Sequence, residues 1–185
     1  NTTAVVTASP TSTAVYTVRG TGSNGCTLTD SVTVTVWQPP VVSGGANTAI
    51  CIGGNTSLNA SGASSYSWSP GTGLSTVFGP VVNASPISTQ TYTVTGTDLN
   101  GCIDTALVTV TVNPLPTLST SGSATICIGS STNLSVSGAS TYLWSPSAGL
   151  SASTGSGVSA SPSGTTTYTI TGTDGNGCER IDSVT

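Results

Sequence analysis

Residues 76 positions apart in this chain keep repeating one another. Cys26, Cys102 and Cys178 follow the interval, as do Tyr16, Tyr92 and Tyr168, and Pro10, Pro86 and Pro162. Cys51 and Cys127, Tyr66 and Tyr142, and Trp68 and Trp144 keep it as well. Aligned from Val41 and Thr117, two long stretches agree at about half of their positions. A period of this length, with turn and strand residues held in phase, specifies a string of similar folded modules.

The period divides the chain into three parts. Residues 1–40 read as the C-terminal part of a first module, 41–116 as a complete second, and 117–185 as a third cut short in its last strand. Val184-Thr185 aligns with Val108-Thr109, but the Val-Thr-Val that follows in the second copy has no counterpart. The expectation is therefore a window onto a longer polypeptide.

Composition removes whole classes of function. Only 4% of the residues are charged, the net charge is −4, and the cations are Arg19 and Arg180 alone. Such a chain cannot neutralise a phosphate backbone, so no nucleic-acid partner is expected. No apolar run approaches the ~18–20 residues of a membrane-spanning helix, so no direct membrane insertion is expected from this segment. Catalysis lacks materials, because there is no His or Lys to act as a base and the acids are few and scattered. Neither a Gly-rich phosphate loop nor a cofactor motif is present. Without His or a Cys-x-x-Cys pair, a zinc site is not expected.

Ser and Thr make up more than a third of the chain, a composition that by itself could signal disorder. Their regular alternation with Val, Tyr, Ile and Leu signals half-buried strands instead. In the second copy, Thr48–Ile52 is a short apolar strand, and Leu58 and Ala60 share one face of the next. Tyr66 and Trp68 lie two apart before the Pro70-Gly71 break, and Val81–Ala84 ends before Pro86. Thr91–Thr95 runs to Asp98-Leu99-Asn100-Gly101, where Asn-Gly suggests a tight hairpin with positive φ at both residues. The return strand Leu107–Val112 turns three valines inward, and Asn113-Pro114-Leu115-Pro116 forms a stiff joint.

About seven short strands in one period, with no helical periodicity, predict an all-β fold: tandem immunoglobulin-like β-sandwich modules. The expected core is Ile50, Leu58, Tyr66, Trp68, Leu74, Val82, Tyr92, Val94, Val108 and Val110. At about 1.5–3 kcal/mol for each large buried side chain, so small a core leaves little margin against chain entropy. A covalent constraint is expected.

The cysteines recur 51 and 25 residues apart in alternation. Bridges Cys51–Cys102 and Cys127–Cys178 would each close a loop of about 50 residues, for about 4 kcal/mol in the chain-entropy model. Cys26 would then pair upstream. This wiring needs a short or diverted first strand, because the two cysteines of a module otherwise fall at opposite ends. The rival pairing, Cys102 with Cys127, requires the chain to fold back across a strand and a proline joint. Disulfides in a Ser/Thr-coated array imply an oxidising, extracellular location.

The run Cys51-Ile52-Gly53, Leu58, Ser61-Gly62-Ala63, Tyr66-Ser67-Trp68-Ser69-Pro70, Gly73-Leu74-Ser75, Thr91-Tyr92-Thr93-Val94 and Asp98-Leu99-Asn100-Gly101-Cys102 resembles the immunoglobulin-like, PKD-like repeats of very large Bacteroidota surface proteins. The resemblance covers the whole chain. It implies type IX export, anchoring through a C-terminal domain elsewhere, and service as an adhesin or gliding-filament shaft at the cell surface. Asp30-Ser31-Val32, Asp104-Thr105-Ala106 and Asp182-Ser183-Val184 resemble the Asp-Ser/Thr-aliphatic O-glycosylation acceptor of that phylum, which makes Ser31, Thr105 and Ser183 candidate attachment sites.

Other candidates have simpler readings. Trp68 and Trp144 could stack on sugars, but their position two residues after an inward Tyr assigns them to the core, beside the expected disulfides. Trp37 aligns with Asn113 at a module joint and is assigned to inter-module packing. Asp98-Leu99-Asn100-Gly101 and Asp174-Gly175-Asn176-Gly177 resemble half a calcium loop, yet Gly22 replaces the acid in the first module, so hairpin formation explains them. The expected function is structural: a shaft of stiff beads, its neighbours in the chain as partners, with lateral self-association into a fibre because few charges block strand edges. The alternative is a set of carbohydrate-binding or spacer modules on a secreted enzyme.

Overall fold

The computed structural model describes residues 5–185; the first four residues of the expected first module lie outside them. The described residues are all strand, turn and loop, with no helix among them. Strands β1 (Ala14–Thr21) and β2 (Thr27–Val34) form an antiparallel hairpin whose two faces are largely exposed.

In the second repeat the strands are β3 (Thr48–Cys51), β4 (Thr56–Asn59), β5 (Ser65–Ser69), β6 (Val81–Ala84), β7 (Gln90–Thr97) and β8 (Ile103–Asn113). They form a four-stranded sheet in the order β3-β8-β7-β5 and a two-stranded sheet β4-β6. Leu58 and Val82 from the smaller sheet meet Trp68, Tyr92, Val94, Val108 and Val110 from the larger one in a single core. Two layers closed on one apolar interior make a sandwich, in which each strand hides one face. All ten residues expected in this core belong to it, with Tyr66 and Leu74 at its margin.

The first strand is divided between the two sheets. Ser43 bridges Ser61 beside β4, and Gly44 and Gly45 then carry the chain across to β3, which runs parallel to β8. The crossing needs glycine: a Cβ on Gly44 would sit 3.2 Å from Val94, and Gly45 has φ of 84°.

The third repeat follows the same plan with β9 (Ser119–Thr120), β10 (Thr132–Ser137), β11 (Thr141–Ser145), β12 (Gly157–Ala160), β13 (Tyr168–Thr173) and β14 (Glu179–Val184). One sheet is β12-β10-β9 and the other β11-β13-β14. Its separate core contains Leu134, Val136, Trp144, Val158, Tyr168 and Ile170. The protein is thus a tandem of immunoglobulin-like β-sandwich modules.

Each aromatic polar atom in these cores is satisfied. Trp68 Nε1 donates to the Gly79 carbonyl at 3.0 Å and Trp144 Nε1 to Gly155 at 2.9 Å. The Tyr92 and Tyr168 hydroxyls donate to the carbonyls of Thr72 and Ala148. Both tryptophans are almost wholly buried, as core packing requires, but no disulfide lies beside them.

Two strand edges in each repeat are covered by the chain itself. Beside β5, Trp68 N–H donates to the Val77 carbonyl and Gly79 N–H to Tyr66. Beside β6, Ser75 N–H donates to Asn83 and Ser85 N–H to Gly73. The third repeat duplicates these bonds at Trp144–Ser153, Gly155–Tyr142, Ser151–Ser159 and Ser161–Gly149. Covering loops thus do what charged residues do on other edge strands. The edge-pairing route expected for lateral association is closed along these stretches.

Candidate functional site

The joint between the second and third repeats concentrates the unusual features. Parallel pairing puts Cys51 in register with Asn113, the last residue of β8. Ile52 N–H donates to the Asn113 carbonyl at 2.9 Å, and Gly54 N–H to Cys51 at 2.8 Å, so the turn carrying Cys51 is held against the strand that enters the joint. Cys102 precedes Ile103 at the opposite end of the same strand.

Eleven residues of extended chain separate those two levels. At the usual rise per residue that is about 35 Å, whereas a disulfide spans no more than about 7 Å between Cα atoms. The expected Cys51–Cys102 bridge cannot form in this fold, and the expected Cys127–Cys178 bridge is not formed either, because Cys178 is bonded elsewhere and Cys127 is left as an exposed thiol. Diversion of the first strand, which was needed for the within-module bond, does occur. It carries Cys51 away from Cys102 because β3 runs parallel to β8.

The bond that forms crosses the joint: Cys51 is linked to Cys178, with Cα atoms 5.5 Å apart and 127 residues between them in sequence. Cys178 ends the hairpin between β13 and β14 and is completely buried. That hairpin faces the second repeat, since Leu115 and Pro116 of the linker border the same cleft of about 250 Å³ as Arg180, Ile181 and Asp182 at the start of β14. Cys26 and Cys127 are exposed thiols and Cys102 is half-buried; the rival pair Cys102–Cys127 is not formed.

The hairpins that present these cysteines are built by an aspartate. Asp98 Oδ1 accepts from the N–H groups of Asn100 (2.8 Å) and Cys102 (2.9 Å), and Asp174 Oδ1 accepts from Asn176 and Cys178 at the same distances. These carboxylates are engaged as turn braces, in accord with the hairpin reading. The turn itself differs from expectation: only Gly101 and Gly177 have positive φ, at 82° and 80°. The loops are three-residue turns closed by a left-handed glycine, not two-residue turns with Asn in that region.

The remaining candidates lie apart. Ser31 on β2, Thr105 on β8 and Ser183 on β14 are all exposed, and Asp30 and Asp182 each accept from the N–H of the following serine. Trp37 is 57% exposed and belongs to neither core cluster. A groove of about 410 Å³ opens in the third repeat between residues 123–128 and Leu134, Ala160 and Tyr168. At the corresponding place in the second repeat, Val110 of the last strand pairs with Thr48 and is buried in the core.

No protein-family model matches the chain, and no curated protein matches it. Solved structures resemble it at the level of the fold. The two immunoglobulin domains of DIP-gamma are 12% identical, covering 80% of this chain and 96% of that one, with a TM-score of 0.40. Sidekick-1 immunoglobulin domains 1–4 are 15% identical over 94% of this chain and 58% of that one, at 0.38. A Ca2+-stabilized adhesin that helps an Antarctic bacterium reach out and bind ice is 12% identical over 92% and 55%, at 0.37.

Proposed function

We propose that this chain is a tension-carrying segment of an extracellular shaft, of the kind found in filaments or giant surface adhesins of bacteria. The observation that carries the reading is the Cys51–Cys178 bond, which makes two sandwiches share a covalent link in addition to their linker. A short joint ending in Pro116, half-buried against β14, supports stiffness along the axis. In the chain-entropy model, closing so long a loop stabilises the folded pair by about 5 kcal/mol. A bond of this type persists in an oxidising compartment, which fits an extracellular location.

The partners in this proposal are the neighbouring repeats of the same chain. Lateral association into a multi-chain fibre would run through the exposed Ser/Thr faces more than through the β5, β6, β11 and β12 edges, which loops cover. Exposed Ser31, Thr105 and Ser183 are proposed as glycan attachment points; an intact mass equal to that of the bare polypeptide removes them. The shaft itself is tested by immunogold labelling of intact source cells with antibody against residues 41–116. Label along surface projections supports it, and label seen only after permeabilisation overturns it.

A further inference from the structure

Every unpaired cysteine here is a periodic image of one that is paired. Cys127 is Cys51 shifted by one period, and Cys102 and Cys26 are Cys178 shifted back by one and two. The local geometry repeats with them, since Asp98 and Asp174 brace Cys102 and Cys178 through bonds of the same length, 2.9 Å. The third repeat also begins the same parallel alignment as the second. Ala124 N–H donates to the Thr185 carbonyl at 3.0 Å, and Thr185 N–H donates to Ser123 as Thr109 N–H does to Asn47.

We infer that continuing the repeat in phase links Cys127 to the hairpin cysteine of the following repeat and Cys102 to the strand-end cysteine of the preceding one, giving the array two covalent rails. Tension entering the second repeat on residues 41–51 crosses to Cys178 and leaves along β14. Tension entering the third on residues 117–127 crosses the next joint in the same way. Each rail alternates the first segment of one repeat with the last strand of the next, and the second rail is offset by one repeat. Inside a repeat the two rails are neighbours, as β3 and β8 are, and both are already extended. The rest of each sandwich hangs outside the path of force, so the array cannot lengthen by unfolding its modules.

Each bond forms by thiol–disulfide exchange: two thiols give up two protons and two electrons to a disulfide oxidant, itself reduced to two thiols. Oxidised glutathione serves in the test. The inference deepens the shaft reading and rests on it, but its test counts thiols and does not depend on where the protein acts.

The chain of 185 residues, refolded with oxidised glutathione, is expected to retain three free thiols, at Cys26, Cys102 and Cys127. A version continued in phase through residues 110–116 and one further copy of 41–116 has two more cysteines and is again expected to retain three. Peptide mapping should then find two bonds, each 127 residues apart. A single free thiol, with bonds spanning 51 residues, overturns the ladder and leaves the shaft proposal standing. Pulled from its termini, the oxidised 185-residue chain should extend about 45 nm less than the reduced one, from 127 residues removed from the path. Cys51→Ser should restore the whole difference; partial restoration overturns the assignment.

Discussion

Cys51 stands beside Asn113 in parallel register, at the end of β8 farthest from Cys102. That relationship turns a cysteine expected to close its own sandwich into one that grips the next.

Removing the grip should separate the two sandwiches. Cys51→Ser is expected to lower stability under oxidising conditions by about 2–5 kcal/mol. Urea denaturation followed by tryptophan fluorescence should show two transitions in place of one. An unchanged single transition would mean that the bond does not couple the repeats.

Gly20, Gly96 and Gly172 occupy the same periodic position, but only two of them are enclosed. A Cβ on Gly96 would lie 2.5 Å from Val42 and 2.7 Å from Ala63, and one on Gly172 would lie 2.4 Å from Leu118, whereas Gly20 has nothing within 4 Å. Gly96→Ala is therefore expected to destabilise by about 1–3 kcal/mol through overpacking. Gly20→Ala should change stability by less than about 0.5 kcal/mol. Thermal melts of the two variants check the contrast.

The tryptophans should divide in the same manner. Trp68→Ala removes a side chain that is 3% exposed, together with its bond to Gly79, and should cost about 3–5 kcal/mol. Trp37→Ala removes one that is 57% exposed and should cost less than about 0.5 kcal/mol. A large loss at Trp37 would show that a packed joint forms around it.

Burial raises the pKa of Tyr92 above its ordinary value of 10.0. The folded state therefore holds this proton more tightly than the unfolded chain does. Its contribution is complete below about pH 10 and is lost as pH rises from there through the higher folded value. Tyr92→Phe should flatten that alkaline decline while costing about 1 kcal/mol at neutral pH for the lost bond to Thr72. Denaturation midpoints between pH 8 and 11 provide the measurement.

The sandwich was legible because alternation reports which side of a strand is wet. Leu58, Val82, Tyr92, Val94, Val108 and Val110 could all be placed inside on that basis. Val42 and Ala84 were missed: Val42 precedes Ser-Gly-Gly and reads as linker, and Ala84 is too small to signal burial. The disulfide pairing was illegible for a different reason. Spacing along the chain tells how much loop a bond would close, but not which end of a strand each cysteine reaches. That depended on Gly44 and Gly45 turning the first strand to lie parallel with β8. The hairpin position was likewise clear from Asp98–Gly101, while its loop length depended on Asp98 bracing the backbone of Cys102.

Covering strand edges with loop backbone instead of lysine has a consequence for the habitat such a molecule can tolerate. Repulsion between like-charged surfaces fades as dissolved ions screen it, so proteins kept apart by charge become stickier in brine. With only 4% charged residues, this chain has almost no such repulsion to lose. The bonds that cover its strand edges join neutral groups that ions scarcely touch, so whatever association its exposed Ser/Thr faces support should change little from fresh water to the sea.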